Sequence, residues 1–140
     1  MTDLTGKTAF VTGSSRGIGA TIARRLAKAG ARVALHGRDE ALAALSRELP
    51  SSMVVTGDLT DRAVAPRLAE EVLGTFGTLD ILVANAGGSH APPGPIEDIT
   101  DEVWDADIDA NLGATFRTVR AFLPAMKQAG RGSIVTVASS

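Results

Sequence analysis

The chain of 140 residues contains no cysteine and no tyrosine, and its aromatic content is one tryptophan and four phenylalanines. Without cysteine it has no disulfide framework, no thiolate nucleophile and no cysteine-held zinc. Its two histidines, His36 and His90, stand apart with no metal-ligating company, so no metal site is expected. No apolar run approaches the roughly 20 residues that cross a bilayer. The opening Met1-Thr2-Asp3-Leu4-Thr5-Gly6-Lys7 lacks the charged-then-apolar pattern of a secretory leader. A net charge of −2 gives no general pull toward nucleic acid or anionic lipid. The expectation is a soluble, cytoplasmic protein with neither a nucleic-acid nor a membrane partner.

What is present is ordinary for a globular domain: 44% hydrophobic and 21% charged residues over a length that suits one domain. Short apolar runs alternate with helical patterns. The runs "TAFVTG", "ARVALHG", "SMVVTGD", "LDILVANAG" and "SIVTVA" read as five strands, the last ending in Ser139 and Ser140. Between them, Ile18, Ile22 and Leu26 recur in steps of four and predict a helix face that Gly30 terminates. Leu42, Leu45 and Leu49 mark a second helix within "DEALAALSREL". Val64, Leu68, Val72 and Phe76 mark a third, which Gly77 ends. After the proline-bearing loop "GGSHAPPGPIEDIT", Thr100 is placed to cap a long helix carrying Trp104, Ile108, Leu112, Val119, Phe122 and Met126. Pro124 either kinks that helix or ends it. Alternating strands and helices, with strands apolar on both faces, predict an α/β fold: a doubly wound parallel sheet covered by helices. Ligands of such sheets bind beyond the carboxyl ends of the strands, so the residues after each strand carry the functional information.

The first of these stretches is "VTGSSRGIG". Gly13 lets the chain turn out of the strand, Gly17 keeps bulk away from a bound pyrophosphate, and Gly19 allows the helix to pack closely. Ser14, Ser15 and Arg16 fill the turn, and the helix start offers free N–H groups to phosphate. After the second strand, an acid would grip the ribose hydroxyls of NAD, whereas a basic group accommodates the 2′-phosphate of NADP. Here the sequence is His36-Gly37-Arg38-Asp39. Arg38 and Arg16 together form a candidate clamp for the extra phosphate, which favours NADP over NAD. Asp58 either accepts from the adenine amino group, with Leu59 beside the ring, or caps the helix that follows. Asn85-Ala86-Gly87-Gly88 has little bulk, so backbone can approach a ribose or nicotinamide. His36 is read as a wall of the cofactor site, and His90 as a loop residue without a partner.

Thr12-Gly13-x-x-x-Gly17-Ile18-Gly19, Asp58-Leu59 and Asn85-Ala86-Gly87 together resemble the short-chain dehydrogenase/reductase family, and the resemblance runs from about residue 5 to the end. It implies a Rossmann-like sheet and assigns the cofactor to Gly13, Ser15, Arg16, Gly17, Ile18, Gly19, Gly37, Arg38, Asp58, Leu59, Asn85, Ala86 and Gly87. Position 37 is where the family's NAD-binding acid would stand. Asn111, which interrupts the apolar helix face and is expected to be buried, falls where the family holds a water linked to its catalytic lysine. Ser140 falls where the family hydrogen-bonds the substrate carbonyl. Asn111 and Ser140 are therefore the candidate catalytic residues.

The family's proton donor is a Tyr in a Tyr-x-x-x-Lys motif further along. This chain has no Tyr, and Lys7, Lys28 and Lys127 are not in that place. The resemblance thus implies that residues 1–140 are the N-terminal, dinucleotide-binding part of a single-domain NADP(H)-dependent reductase acting on a small carbonyl or alcohol. A non-catalytic dinucleotide-binding module, or an inactive fragment, is the alternative. The family habit of assembly implies a homodimer or homotetramer. Phe116, Val119 and Phe122 are candidates either for that face or for burial against the chain's own sheet.

Overall fold

The computed structural model describes residues 2–138. In chain order the elements are β1 (Thr8–Val11), α1 (Gly17–Lys28), β2 (Arg32–Gly37), α2 (Ala41–Glu48), β3 (Met53–Thr56), α3 (Val64–Phe76), β4 (Ile81–Ala84), α4 (Asp101–Ile108), α5 (Ala114–Ala129) and β5 (Ser133–Thr136). The strands form one parallel sheet in the order β3-β2-β1-β4-β5. The order reverses between β1 and β4, and the exits of these two strands open a crevice for ligand there.

Strand alternation sorts the core into two layers. Ala9, Val11, Val33, Leu35 and Val83 face α1 and α2, where Ala20, Ala23, Leu42 and Leu45 cover them. Phe10, Ala34, Val55 and Leu82 face the other way, against Leu68 and Val72 of α3 and Phe122 and Met126 of α5. Phe10 and Phe122 meet with ring centroids 5.1 Å apart. All four residues of β1 are buried, because β1 has a strand on each side and helices on both faces.

Helix ends follow local chemistry. Gly77 (φ +80°) and Gly130 (φ +71°) end α3 and α5 in backbone conformations that favour glycine. Thr100 caps α4, its hydroxyl accepting from the Val103 N–H at 3.2 Å. Pro124 lies inside α5, which runs on to Ala129.

Four expectations are corrected. The deepest face of α1 is Gly19, Ala20 and Ala23, with Ile22 and Leu26 half-buried against the same core, while Ile18 is 65% exposed. The helix lies so close to the sheet that only small side chains fit beneath its first turns. The long helix is two helices joined by a π turn over Asp109–Gly113, and Trp104, Ile108, Leu112 and Phe116 are exposed. Their spacing marks an apolar stripe, yet that stripe faces away from the sheet. β5 is exposed along its length, because among the described residues it pairs only with β4. Asn111 is exposed rather than buried.

Candidate cofactor-binding site

The glycine loop follows β1 directly. Thr12 is buried, and its hydroxyl accepts from the backbone N–H of both Asn85 and Ala86 at 2.9 Å, which locks the exit of β1 to that of β4. Gly13 has φ +61°, and a Cβ there would lie 2.9 Å from Ala86 Cα, so glycine is required on two grounds. A Cβ on Gly19 would run into the Gly13 carbonyl and lie 2.6 Å from Asn85 Nδ2. Asn85 Nδ2 in turn donates to the carbonyls of Thr12 at 3.2 Å and Gly13 at 3.1 Å, so this side chain braces the loop from beneath. Gly17 (φ +59°) faces open space. The start of α1 has no side-chain cap and no acid in its first turn, which leaves helix N–H groups free for an anion.

Beneath this loop, β2 ends in a polar knot. Ser14 N–H donates to the His36 carbonyl at 2.7 Å, and His36 N–H donates to Ser14 Oγ at 2.9 Å. The His36 ring accepts from the Gly13 N–H at Nδ1 (3.0 Å) and bonds the Gly57 carbonyl through Nε2 (2.8 Å). Burial, assisted by the Arg38 charge, lowers the pKa of this imidazole, against the opposing pull of the Gly57 carbonyl and Asp58.

At the far end of the cleft, a Cβ on Gly37 would lie 3.0 Å from Ser15 Cβ, leaving little room for an acidic side chain there. The two arginines are paired. Arg16 meets Asp39, and Arg38 meets Asp58 at 3.3 Å, all largely solvent-exposed. Asp58 Oδ1 accepts from both the backbone N–H (2.9 Å) and the hydroxyl (2.7 Å) of Thr60. These bonds, backbone first, hold its carboxyl below the usual value, with a smaller contribution from Arg38. Leu59 lines the cleft but is buried in the core, and its carbonyl accepts from Arg117 Nε at 3.1 Å. Arg117 is itself buried and pairs with Asp109 at 2.6 Å.

On the other side, the π turn presents Asn111 to the loop after β4. Its Nδ2 donates to the carbonyls of Gly88 at 2.7 Å and Asp107 at 2.8 Å, and its Oδ1 accepts from the Gly88 N–H at 3.1 Å. A Cβ on Gly87 would collide with that oxygen. His90 has a partner after all: Asp107 Oδ1 lies 2.8 Å from His90 Nδ1 and also accepts the His90 backbone N–H. The His90 backbone and ring bonds hold the Asp107 carboxyl below its usual value.

These groups enclose a cleft of about 590 Å³. Of the residues expected at the cofactor, Gly13, Ser15, Arg16, Gly37, Arg38, Asp58, Leu59, Ala86 and Gly87 line it. Gly17, Ile18, Gly19, Asn85 and Asn111 are not in its wall. Gly19 and Asn85 shape the loop from behind, and Ile18 points into solvent. Ser140 and its neighbour Ser139 lie outside the described residues. Sequence reasoning missed Thr12, the bonds of His36, and the Arg117–Asp109 pair. The only signal for Thr12 was its place ahead of the first glycine. Among the described residues no cluster of three metal-ligating side chains occurs, and no helix is long and apolar enough to cross a membrane.

A twisted parallel sheet with this order, and a glycine turn leading into α1 at its centre, defines the class of dinucleotide-binding α/β folds. The family model described as short chain dehydrogenase matches residues 7–140. The chain belongs to that family. It is 44% identical over 142 residues to the oxidoreductase asL5 of Sarocladium schorii, covering 98% of this chain and 55% of that protein. It is 40% identical to a D-beta-hydroxybutyrate dehydrogenase of Cupriavidus necator, covering 98% of this chain and 54% of the relative. A solved metagenomic short-chain oxidoreductase in complex with NADP superposes with a TM-score of 0.91 at 42% identity, covering 98% of this chain and 64% of that one. The chain spans about half the length of the curated relatives it matches.

Proposed function

We propose that this chain supplies the dinucleotide-binding part of an NADP(H)-dependent oxidoreductase that interconverts a carbonyl and an alcohol. The observation that carries the reading is the cleft itself. Gly13, Ser15 and Arg16 line it just ahead of an uncapped helix start, and two guanidiniums stand at its far end where position 37 has no acid. The solved relative bound to NADP supports the same cofactor.

The residues present fit a dinucleotide. The N–H groups at the start of α1 would hold the pyrophosphate. Arg16 and Arg38 would hold the 2′-phosphate, exchanging their present carboxylate partners for it. Asp58 would accept from the adenine amino group beside Leu59. Ala86 and Gly87 would lie along the nicotinamide ribose, where side chains are small. When bound, the nicotinamide supplies the hydride that is exchanged with the carbonyl carbon. Asn111 holds the loop at Gly88 in place and is proposed to keep a water in the proton path. Ser140 is proposed to donate a hydrogen bond to the carbonyl oxygen, where charge develops. The exposed stripe Trp104, Ile108, Leu112 and Phe116 supports pairing with a second copy, and the cytoplasm is the proposed setting.

Calorimetric titration with NADP+ and with NAD+ tests the reading. NADP+ is expected to bind about tenfold tighter or better, and Arg38→Ala to remove most of that preference while sparing NAD+. Equal affinities in the unaltered protein would overturn the NADP assignment. Failure of both to bind would overturn the cofactor reading itself.

A further inference from the structure

The His36 ring is 4% exposed, yet it takes part in two hydrogen bonds to backbone groups on different loops. One partner, Gly13, begins the glycine loop after β1. The other, Gly57, follows β3 and precedes the adenine-side Asp58. Gly13, His36 and Gly57 all line the cleft. We propose that His36 is a positioning residue for the dinucleotide: its ring sets the spacing between the phosphate loop and the adenine loop, accepting from one and donating to the other. This inference rests on the cofactor reading above.

The geometry fixes the form of the ring. Nδ1 faces an N–H and must be bare; Nε2 faces a carbonyl and must carry the hydrogen. A doubly protonated ring has a donor on each nitrogen, so it would confront the Gly13 N–H with a second donor. The bond to the phosphate loop then breaks, and the loop moves or the proton is refused. The surroundings favour refusal. Phe10 of β1 meets the ring edge-on with centroids 6.3 Å apart, and His36 is buried. The charged groups that act on it are Arg38, which opposes protonation, and Asp58, which favours it. Arg16 and Asp39 line the same cleft and are paired with each other. An apolar side chain would fill the same space, so packing alone does not call for two directed bonds from one ring.

Adenosine diphosphate ribose is the probe for the test. It carries adenine, ribose and pyrophosphate but lacks the 2′-phosphate, which as a monoester titrates near about pH 6. Because the surroundings resist the proton, its affinity for the unaltered protein is expected to hold from about pH 8 to about pH 6 and to fall by about tenfold by about pH 4.5, where the proton is forced onto the ring and one buried bond is lost. In His36→Gln, whose amide does not ionise, affinity is expected to stay level across that range. A level profile in the unaltered protein, or an equal fall in His36→Gln, would overturn the proposal. So would a fall that only tracks unfolding, followed by circular dichroism at the same pH values. Absence of binding at every pH removes the cofactor reading and this proposal with it. Ring nitrogen NMR of the unaltered protein gives a check that needs no variant: a hydrogen found on Nδ1 instead of Nε2 at neutral pH also overturns it.

Discussion

The β1–β2–β3 side of the sheet and the β4–β5 side are held by different means. β1 is wholly buried, β2 nearly so, and their exits are tied together through Gly13, Ser14 and His36. β5, by contrast, has no buried residue, and Ile134 and Val135 are 38% and 47% exposed. Its neighbour β4 is anchored at its start by a charged group: Asp80 accepts from the Thr8 N–H at 2.9 Å and from Arg131 Nε at 3.2 Å. The same residue types, β-branched and apolar, thus fill a core in the central strand β1 and a surface in β5, and β3 at the opposite edge has only Val55 buried. The difference teaches that a strand's composition reports its preference for an extended chain, whereas its neighbours decide its burial.

The largest effect should come from the layer that spans both sides. Phe122→Ala removes the partner of Phe10 and is expected to cost about 4 kcal/mol of stability, read from the urea midpoint. Next comes the tight approach at the glycine loop. Gly19→Val forces bulk onto Asn85 and the Gly13 carbonyl and should cost about 3 kcal/mol, with loss of dinucleotide binding in whatever remains folded. A milder effect is expected at the β4–β5 side. Asp80→Asn should cost about 1–2 kcal/mol, and hydrogen exchange should quicken in β5 while β1 and β2 stay protected.

Asp80 also gives that side a pH dependence. Burial pushes its carboxyl up, but hydrogen bonds from the Thr8 backbone, Arg131 and the Thr8 hydroxyl, with the Arg131 charge, more than offset it and leave the carboxyl below its ordinary value. The unfolded chain therefore binds the proton more tightly. The stabilisation is present above the ordinary carboxylate pKa of about 4 and is lost as pH falls through the lower folded value. Acid titration of stability should show this loss in the unaltered protein and a smaller one in Asp80→Asn. The smallest change is expected at the exposed edge, where Val135→Thr should move stability by no more than about 0.5 kcal/mol. A cost of several kcal/mol there would mean that β5 is covered in solution and would dissolve the contrast between the two sides.

The elements that the sequence revealed are those whose causes are local. Five apolar runs became five strands, and Thr100 and Gly77 stand at helix ends, because capping is decided within a few residues. What stayed hidden depends on partners distant in sequence. Thr12 meets residues 73 and 74 positions away, and Arg117 reaches Leu59 across 58. No periodicity announces such pairs. The π turn was missed for another reason: Trp104, Ile108, Leu112 and Phe116 keep steps of four straight through it, so the pattern looks uninterrupted. For Ile18, the expected core face was displaced by the close helix approach at Gly19, which puts the alanines deepest and leaves Ile22 and Leu26 half-buried against the same core. His36 was placed at the cleft, but nothing in "LHGR" shows which loops its ring would join.

The order β3-β2-β1-β4-β5 puts the first strand in the centre, and this governs how the chain comes together in time. The His36–Gly13 bond spans 23 residues, whereas the Thr8–Asp80 bond spans 72. Closing the longer loop costs about 1 kcal/mol more in chain entropy. During synthesis, the β1–β2–β3 half of the cleft can assemble once α2 and β3 have emerged. The other half waits for β4 to dock beside a strand made some 70 residues earlier. Until then, the inner edge of β1 stands open, and the nascent chain is most exposed to mispairing at the very strand that the finished molecule buries most deeply.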